Sequence, residues 1–156
     1  MNNNEIFSIF PGNNSMDFCV LADRLKDDLV VVSCTQTGGP FDGGVVAVNV
    51  PVYTAKDLST AILCNELSEI AEVRRGLYDF VLENKRLPVY EFTSEEGSIR
   101  IYPCTATTWT VVLTNENLEM SVTLRHNEFR RWGHGLEFAV SAWTANRYAS
   151  FCTRPA

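Results

Sequence analysis

Apolar and polar residues alternate along much of the chain, and this pattern predicts β-strands. In the segment 118–125, Met120, Val122 and Leu124 point to one side, and the polar residues between them point to the other. Such alternation is typical of an antiparallel strand with one packed face and one wet face. Similar alternating or β-branched runs occupy residues 16–25, 29–37, 45–53, 88–94, 98–103 and 107–114. The pattern therefore predicts a mainly antiparallel, twisted sheet of about six to eight strands.

Apolar positions that recur every three and four residues predict a long helix from about residue 55 to 75. Thr54 and Asp57 have the spacing of a capping signal at its start, and Gly76 can end it in a left-handed conformation. The apolar positions of this helix are Leu58, Ile62, Leu63, Leu67, Ile70 and Val73. Residues 77–85 fit either a second short helix or a strand.

A second helix is predicted from about residue 128 to 145, following Asn127, a residue type favoured at helix N-caps. Its apolar stripe consists of Phe129, Trp132, Leu136, Ala139, Val140 and Trp143. Gly133 and Gly135 lower the helix propensity and could separate the first turn from the rest. A strand over residues 136–143 is the alternative that the pattern allows.

These elements together predict an α+β protein whose two helices pack on the sheet. The chain of 156 residues has the length of one ordinary domain, and no stretch rich in Pro, Gly or Ser divides it. We therefore expect a single globular domain over residues 1–156. Residues 1–4 and 153–156 offer little surface to bury, and we expect them to be frayed.

Acidic residues outnumber basic ones by 19 to 13, which gives a formal net charge of −6. A protein of this charge repels nucleic acid at long range and attracts basic partners. The charge therefore favours another protein, and not nucleic acid, as the binding partner.

The distribution of apolar residues and cysteines indicates a cytoplasmic protein. No apolar stretch reaches the ~20 residues of a membrane span, so no membrane contact is expected. The first ten residues carry no lysine or arginine, unlike a secretory leader. The five cysteines are scattered, mostly among apolar residues and without a zinc-like spacing. This usage favours buried thiols in a reducing compartment.

Glutamates gather beside two predicted hairpin turns. Glu91, Glu95 and Glu96 lie on or next to the first of these turns. Glu116 and Glu119 flank the second turn. If the hairpins align, the five side chains form an anionic rim at one end of the sheet. Charge on turns often serves only solubility, but such a rim also suits a basic partner captured by electrostatic steering. These glutamates are the candidate partner-binding residues.

An alternative site combines a carboxylate of the first helix with cationic groups near the second. Glu66 projects into the apolar arc, where a carboxylate must find a hydrogen-bond partner, titrate upward or reach water. The two histidines are eight residues apart, which is not the spacing of a helical zinc pair. A pocket or a small-anion site at the start of the second helix would use Glu66, Arg125, His126, Arg130, Arg131 and His134.

The sequence contains no motif that would identify a catalytic residue. No nucleophile elbow, metal-ligand spacing or phosphate loop is present. We therefore assign no catalytic residue, no metal and no cofactor. This pattern favours a binding module over an enzyme, with a small enzyme or ligand-binding domain at the alternative site as the second possibility.

A small, acidic, cytoplasmic α+β domain of this kind resembles the immunity proteins of bacterial toxin systems, including those of contact-dependent inhibition. Proteins of that group bind a cognate toxin domain, often a nuclease, and block it. The resemblance concerns the architecture of the whole chain and carries over no residue, because these proteins share no motif. It implies a protein-binding inhibitor whose partner is a basic toxin domain.

Overall fold

The computed structural model describes the backbone at residues 5–9, 16–22, 29–36, 44–81, 87–116 and 118–152. It describes side chains at residues 29–35, 44–74, 87–116 and 118–145. The fraying expected at residues 1–4 and 153–156 lies outside these ranges.

Eight strands in the described ranges form two four-stranded antiparallel sheets. Within each sheet the strands follow chain order, so each strand pairs with the next one along the chain. The first sheet contains β1 (Glu5–Ile9), β2 (Met16–Ala22), β3 (Leu29–Gln36) and β4 (Val45–Pro51). The second sheet contains β5 (Tyr90–Thr93), β6 (Gly97–Pro103), β7 (Thr108–Asn115) and β8 (Glu119–Arg125).

The prediction of an α+β protein with antiparallel strands is confirmed, but the prediction of one continuous sheet is wrong. Two helices separate β4 from β5, and the described strands before and after them pair only within their own sheet. Alternation identifies the packed face of a strand but does not identify its neighbours. The division into two sheets is therefore invisible in the hydrophobic pattern.

The helix predicted from about residue 55 to 75 is two helices, α1 (Val52–Leu63) and α2 (Glu66–Val81). Between them Asn65 has a φ of 61°, in the left-handed region. The N–H of Cys64 donates to the carbonyl of Thr60 and closes the last turn of α1. Asparagine tolerates the left-handed conformation better than most residues, so the chain can turn here without glycine.

The boundaries of these helices differ from those predicted. Helix α1 begins after Pro51 and has no side-chain cap, so Thr54 and Asp57 lie within the helix and do not cap it. Gly76 lies inside α2 and ends no helix. Residues 77–85 fitted either a helix or a strand, and residues 77–81 are helical. Residues 82–85 lie outside the described residues.

The last helix, α3 (His126–Cys152), follows β8 directly, without a loop. The helix predicted over residues 128–145 is thus confirmed but longer at both ends. Asn127 is its second residue and is exposed, so the prediction that it is the N-cap is wrong. Gly133 and Gly135 lie within one continuous helix.

The packed faces of the strands form one core with the helices. In the first sheet Val30 lies opposite Val50 and Val32 opposite Val48, and all four are buried. Helix α3 packs along α1 and contacts β1 and β2, although it follows the second sheet in the chain. Strand β4 in turn contacts β6 and β7. The elements before β5 and those from β5 onward therefore pack against each other at two places.

Candidate functional site

The turn between β5 and β6 carries two of the candidate glutamates. It is closed by the Ser94 N–H, which donates to the Gly97 carbonyl at 2.8 Å. The Ser94 hydroxyl accepts a hydrogen bond from the Glu96 N–H at 3.3 Å. These short bonds fix the turn and leave Glu95 and Glu96 exposed.

The turn between β7 and β8 is closed in a similar way. The Asn115 N–H donates to the Leu118 carbonyl at 2.9 Å. The Asn115 side chain accepts from the Leu118 N–H, also at 2.9 Å, as asparagine often does in turns. Glu116 is exposed in this turn.

Both turns lie at the same end of the second sheet, because alternate turns of an antiparallel meander share one end. Glu95, Glu96 and Glu116 line a single shallow cleft of about 210 Å³ there. Gly97 and Thr114 belong to the same cleft. We call it the acidic cleft, defined by Glu95, Glu96 and Glu116. The predicted anionic rim required the two hairpins to align, and the position of the acidic cleft agrees with that alignment.

The other two candidate glutamates have different surroundings. Glu91 lies opposite Arg100 on the neighbouring strand, and its carboxylate is 3.3 Å from the Arg100 Nε. Arg100 also lines the acidic cleft, so one positive charge lies near the three carboxylates. Glu119 begins β8 opposite Thr114 and is exposed. Of the five glutamates expected in the rim, the three of the acidic cleft therefore lie together.

Glu96 also links the two sheets. Its carboxylate accepts a hydrogen bond from the Asn49 side chain of β4 at 3.1 Å. Close by, a Cβ added to Gly97 would meet the Thr114 carbonyl oxygen and would touch Val48. Strand β4 therefore packs behind the acidic cleft, and the turn that carries Glu96 is supported from the first sheet.

Three basic residues of the alternative site, Arg125, His126 and Arg130, each make a separate contact within the fold. The Arg125 N–H donates to the Glu128 carboxylate at 2.9 Å, and the Arg125 Nε donates to the same oxygen at 3.2 Å. Glu128 is only 6% exposed. A glutamate at the third helical position that accepts the N-cap N–H is half of a capping box. Arg125 and Glu128 therefore start α3.

His126 accepts a hydrogen bond from the Trp109 indole N–H, with 3.3 Å between Nε1 and Nδ1. This bond requires a lone pair on Nδ1, so the ring proton of the neutral histidine belongs on Nε2. Trp109 in turn stacks on Phe129, with ring centroids 4.5 Å apart. His126 thus provides the acceptor for the indole N–H of Trp109, whose ring packs in the core on Phe129.

Arg130 reaches across to the end of α1. Its Nη1 donates to the Leu63 carbonyl at 3.3 Å and to the Asn65 side-chain oxygen at 3.0 Å. A cation at a helix C-terminus meets unpaired carbonyls and the negative end of the helix dipole. Arg130 therefore joins α3 to the break between α1 and α2.

The remaining members of the alternative site lie on exposed surfaces. Glu66 is exposed in the first turn of α2, because the break at Asn65 rotates it out of the apolar arc projected from the sequence. Arg131 is exposed on α3. His134 lies 3.6 Å from Glu137 one turn away. One of the six side chains, Glu66, thus lies at the start of α2, and the other five lie at the end of β8 and in the first nine residues of α3.

Sequence reasoning missed Glu128, and a signal for it was present. Arg125 ends an alternating strand, and a glutamate follows three residues later. That spacing marks a capping box when a helix starts directly from a strand. Asn127 is predicted as the N-cap instead, because asparagine is a residue type favoured at N-caps.

The described thiols differ from the buried set that was expected. Cys34 is buried, but Cys64 and Cys104 are exposed, and none of these three described cysteines is in a disulfide. Among the described residues, no group of three or more His, Cys, Asp and Glu side chains could hold a metal ion. None of the described helices is long and apolar enough to cross a membrane.

In comparisons with known proteins, no protein-family model matches this chain. No curated protein matches its sequence either.

Proposed function

We propose that this chain is a protein-binding inhibitor of the immunity type, which neutralises a basic toxin domain such as a nuclease in the cytoplasm. The observation that carries the proposal is the acidic cleft. Two separate hairpin turns bring Glu95, Glu96 and Glu116 to one accessible surface at the end of a sheet. Carboxylates on turns that are closed by hydrogen bonds are well placed to meet lysines and arginines of a partner.

The charge of the whole chain supports this role. A net charge of −6 adds a long-range field of the same sign as the acidic cleft. Complementary fields steer two proteins together and can raise the association rate by one to three orders of magnitude at low salt. An inhibitor that must bind its toxin before the toxin acts gains directly from fast association.

The supported turns favour binding without rearrangement. The Ser94 and Asn115 hydrogen bonds fix both turns, and the Asn49–Glu96 contact attaches one of them to the first sheet. A preorganised surface loses less conformational freedom on binding, which leaves more of the contact energy as affinity. Blocking a toxin in this way needs no covalent chemistry.

The test uses the product of the gene adjacent to the one that encodes this chain. The two proteins are co-expressed and purified, and the association rate is measured by biolayer interferometry at low and high salt. We expect a one-to-one complex whose association slows as salt rises, and relief of growth inhibition in cells that express both proteins.

Two variants with the same change in net charge test the surface itself. Glu95→Lys with Glu116→Lys reverses two charges of the acidic cleft, and we expect association on the order of tenfold slower. Glu72→Lys with Glu137→Lys reverses two exposed glutamates on helices and should have a much smaller effect. Equal slowing by both pairs would contradict the proposed surface. Tight binding of single- or double-stranded oligonucleotides at physiological salt would contradict the proposed partner class.

The alternative is a small enzyme or ligand-binding domain using Glu66 with residues 125–134. It has less support, because the open groove of about 570 Å³ that Glu66 lines contains none of residues 125–134. The Arg125 Nε and the Arg130 Nη1 hold the ends of helices, and His126 accepts a hydrogen bond from Trp109. That function stays a prediction, and turnover or saturable binding of a small compound that Arg130→Ala abolishes would favour it.

A further inference from the structure

Helix α2 carries a second apolar stripe that the fold does not bury. Its inner side chains, Leu67 and Ala71, are buried in the core. Ile70 and Val73 lie on the neighbouring side of the helix, and they are 39% and 66% exposed. Residues three apart are neighbours on a helix surface, so these two side chains form one patch. A surface helix needs only its inner stripe to fold, so folding does not account for the outer one.

The exposed pair lies in an open groove of about 570 Å³ along α2. Glu66 and Glu69 line this groove at the start of the helix, and Arg74 lines it at the other end. From residue 66 to residue 74 the helix rises about 12 Å, which is a little more than two turns. We call it the α2 groove, defined by Glu66, Glu69, Ile70, Val73 and Arg74.

The two ends of the α2 groove differ in charge. Glu66 and Glu69 are exposed. The Arg74 Nη1 donates to the Leu87 and Pro88 carbonyls, both at 2.8 Å. This cation is therefore engaged by the segment that leads into β5, whereas two carboxylates are exposed at the opposite end. The α2 groove thus offers apolar surface beside negative charge.

We propose that the α2 groove binds a basic amphipathic helix of another protein. Apolar side chains of that helix pack on Ile70 and Val73, and its lysines or arginines lie next to Glu66 and Glu69. The backbone groups of α2 are bonded within the helix, so the groove offers side chains and no edge to which a strand could add. A helix that lies along α2 presents residues at spacings of three and four, which match the spacing of the exposed pair.

Charge favours this partner over two others. A second copy of the chain would bring the same carboxylates, and its Arg74 would already donate to two carbonyls of its own chain. An anionic membrane surface would be repelled by Glu66 and Glu69. A basic helix, in contrast, meets opposite charge and apolar surface together. The positive end of the α2 dipole explains carboxylates in the first turn, but it does not explain the exposed apolar pair.

This inference goes beyond the proposed function and does not rest on it. The α2 groove and the acidic cleft lie on different elements and share no residue. Variants of the two surfaces therefore test the two proposals separately.

The first experiment measures binding of a synthetic helix to the full-length chain by fluorescence anisotropy at physiological salt. The labelled peptide has about 18 residues, with leucine at helical spacings of three and four and lysine elsewhere. We expect saturable one-to-one binding. A peptide of the same composition in scrambled order keeps the charge but has no apolar face, and it should bind on the order of tenfold more weakly. No saturable binding, or equal binding of both peptides, would overturn the proposal.

Val73→Gln tests the apolar contact with the same leucine–lysine peptide. Glutamine has the better helix propensity and the valine is exposed, so the variant should fold as well as the wild type. We expect the dissociation constant of the peptide to rise on the order of tenfold. Phe138→Gln removes a side chain that is 60% exposed on α3 and should leave the constant nearly unchanged. Equal effects of the two substitutions would contradict binding in the α2 groove.

Two double variants separate the α2 groove from the acidic cleft. Glu66→Gln with Glu69→Gln and Glu95→Gln with Glu116→Gln each remove two negative charges. We expect the first pair to weaken peptide binding several-fold and the second pair to leave it nearly unchanged. A larger loss from the second pair would place the peptide in the acidic cleft and overturn this inference. The toxin complex is measured separately, so its absence would leave these results in place.

Sedimentation of the unliganded chain tests the second copy as the occupant. We expect a monomer, and a dimer that Val73→Gln dissociates would assign the α2 groove to a second copy instead. Vesicles that contain phosphatidylserine test a membrane surface. We expect no binding, and binding that Val73→Gln abolishes would overturn the proposal in favour of a membrane.

Discussion

Gly133 of α3 lies directly against Ile62 of α1. A Cβ at position 133 would be 2.8 Å from the Ile62 Cγ2 and 3.2 Å from its Cβ. Both residues are buried. The missing side chain of Gly133 therefore sets how closely the helix of the second half approaches the helix of the first.

Gly133→Ala should destabilise the protein despite the better helix propensity of alanine. Propensity favours alanine by about 1 kcal/mol, whereas overpacking a core contact costs about 1–3 kcal/mol. The clashing methyl belongs to a β-branched side chain with a stiff χ1 in a helix, so it yields little. We expect a net loss of about 1 kcal/mol in the free energy of unfolding, measured by urea denaturation followed by circular dichroism.

Ile62→Ala provides the control for this contact. Alone it should cost about 2–5 kcal/mol, because it removes buried methyl groups and leaves a cavity. In that background Gly133→Ala no longer clashes with the Ile62 Cγ2 and should cost less, while the Cβ of residue 62 and the Leu63 Cδ2 stay in close contact at 3.2 Å. The same loss from Gly133→Ala in both backgrounds would show that the Ile62 contact is not its cause.

Glu128→Ala should destabilise the start of α3. The substitution leaves the Arg125 N–H without its acceptor and removes the ion pair, at a cost of about 1–2 kcal/mol. Glu128→Gln retains an acceptor for that N–H and should recover part of the loss. Asn127→Ala should change the free energy of unfolding little, because Asn127 caps nothing. A larger loss from Asn127→Ala than from Glu128→Ala in thermal denaturation would restore Asn127 as the cap.

Asn65→Ala should cost more than Asn65→Gly. Alanine at a φ of 61° is strained by about 1–2 kcal/mol, and it also loses the hydrogen bond from Arg130. Glycine loses the same hydrogen bond but adopts the left-handed conformation without strain. The difference between the two variants in urea denaturation therefore isolates the backbone strain. Equal stabilities would mean that Asn65 does not need its left-handed conformation.

Tyr90 should make the protein less stable at high pH. Burial, and secondarily the charge of Asp57, raise the pKa of Tyr90 above its ordinary value of 10.0. The folded protein then holds the phenolic proton more tightly than the unfolded chain does. This contribution is fully present below pH 10.0 and is lost as the pH rises through the folded-state pKa.

Tyr90→Phe tests this dependence, because phenylalanine cannot ionise. We expect the free energy of unfolding of this variant to fall less steeply above pH 10.0 than that of the wild type. Asp57→Asn removes the secondary cause and should give an intermediate slope. Parallel curves for wild type and Tyr90→Phe would contradict the assignment.

Seven of the eight described strands could be predicted because their signal is local, but β1 (Glu5–Ile9) was not predicted. Met120, Val122 and Leu124 are buried, and the residues between them are exposed, as the alternation indicates. The division into two sheets depends on strand pairing between distant segments, which alternation does not specify. For the same reason the two turns of the acidic cleft could be predicted, but the support that Asn49 gives to the turn with Glu96 could not.

The helix break could not be predicted because the apolar spacing continues across it. Leu67 lies four residues after Leu63, so the pattern shows no interruption at Asn65. The break is held by Arg130, which is 65 residues away in sequence. The same long-range contact explains why Arg130 seemed available for an anion site: its acceptors lie in a distant segment of the chain.

Helix α3 has a consequence for synthesis of the protein on the ribosome. It contacts β1 and β2, which are translated first, but it is translated after every strand. Until residue 126 and those beyond it emerge, the first sheet lacks the helix that packs on it. Exposed apolar strands of a nascent chain are prone to aggregate. Chains interrupted before α3 should therefore depend on chaperones, while finished chains should not.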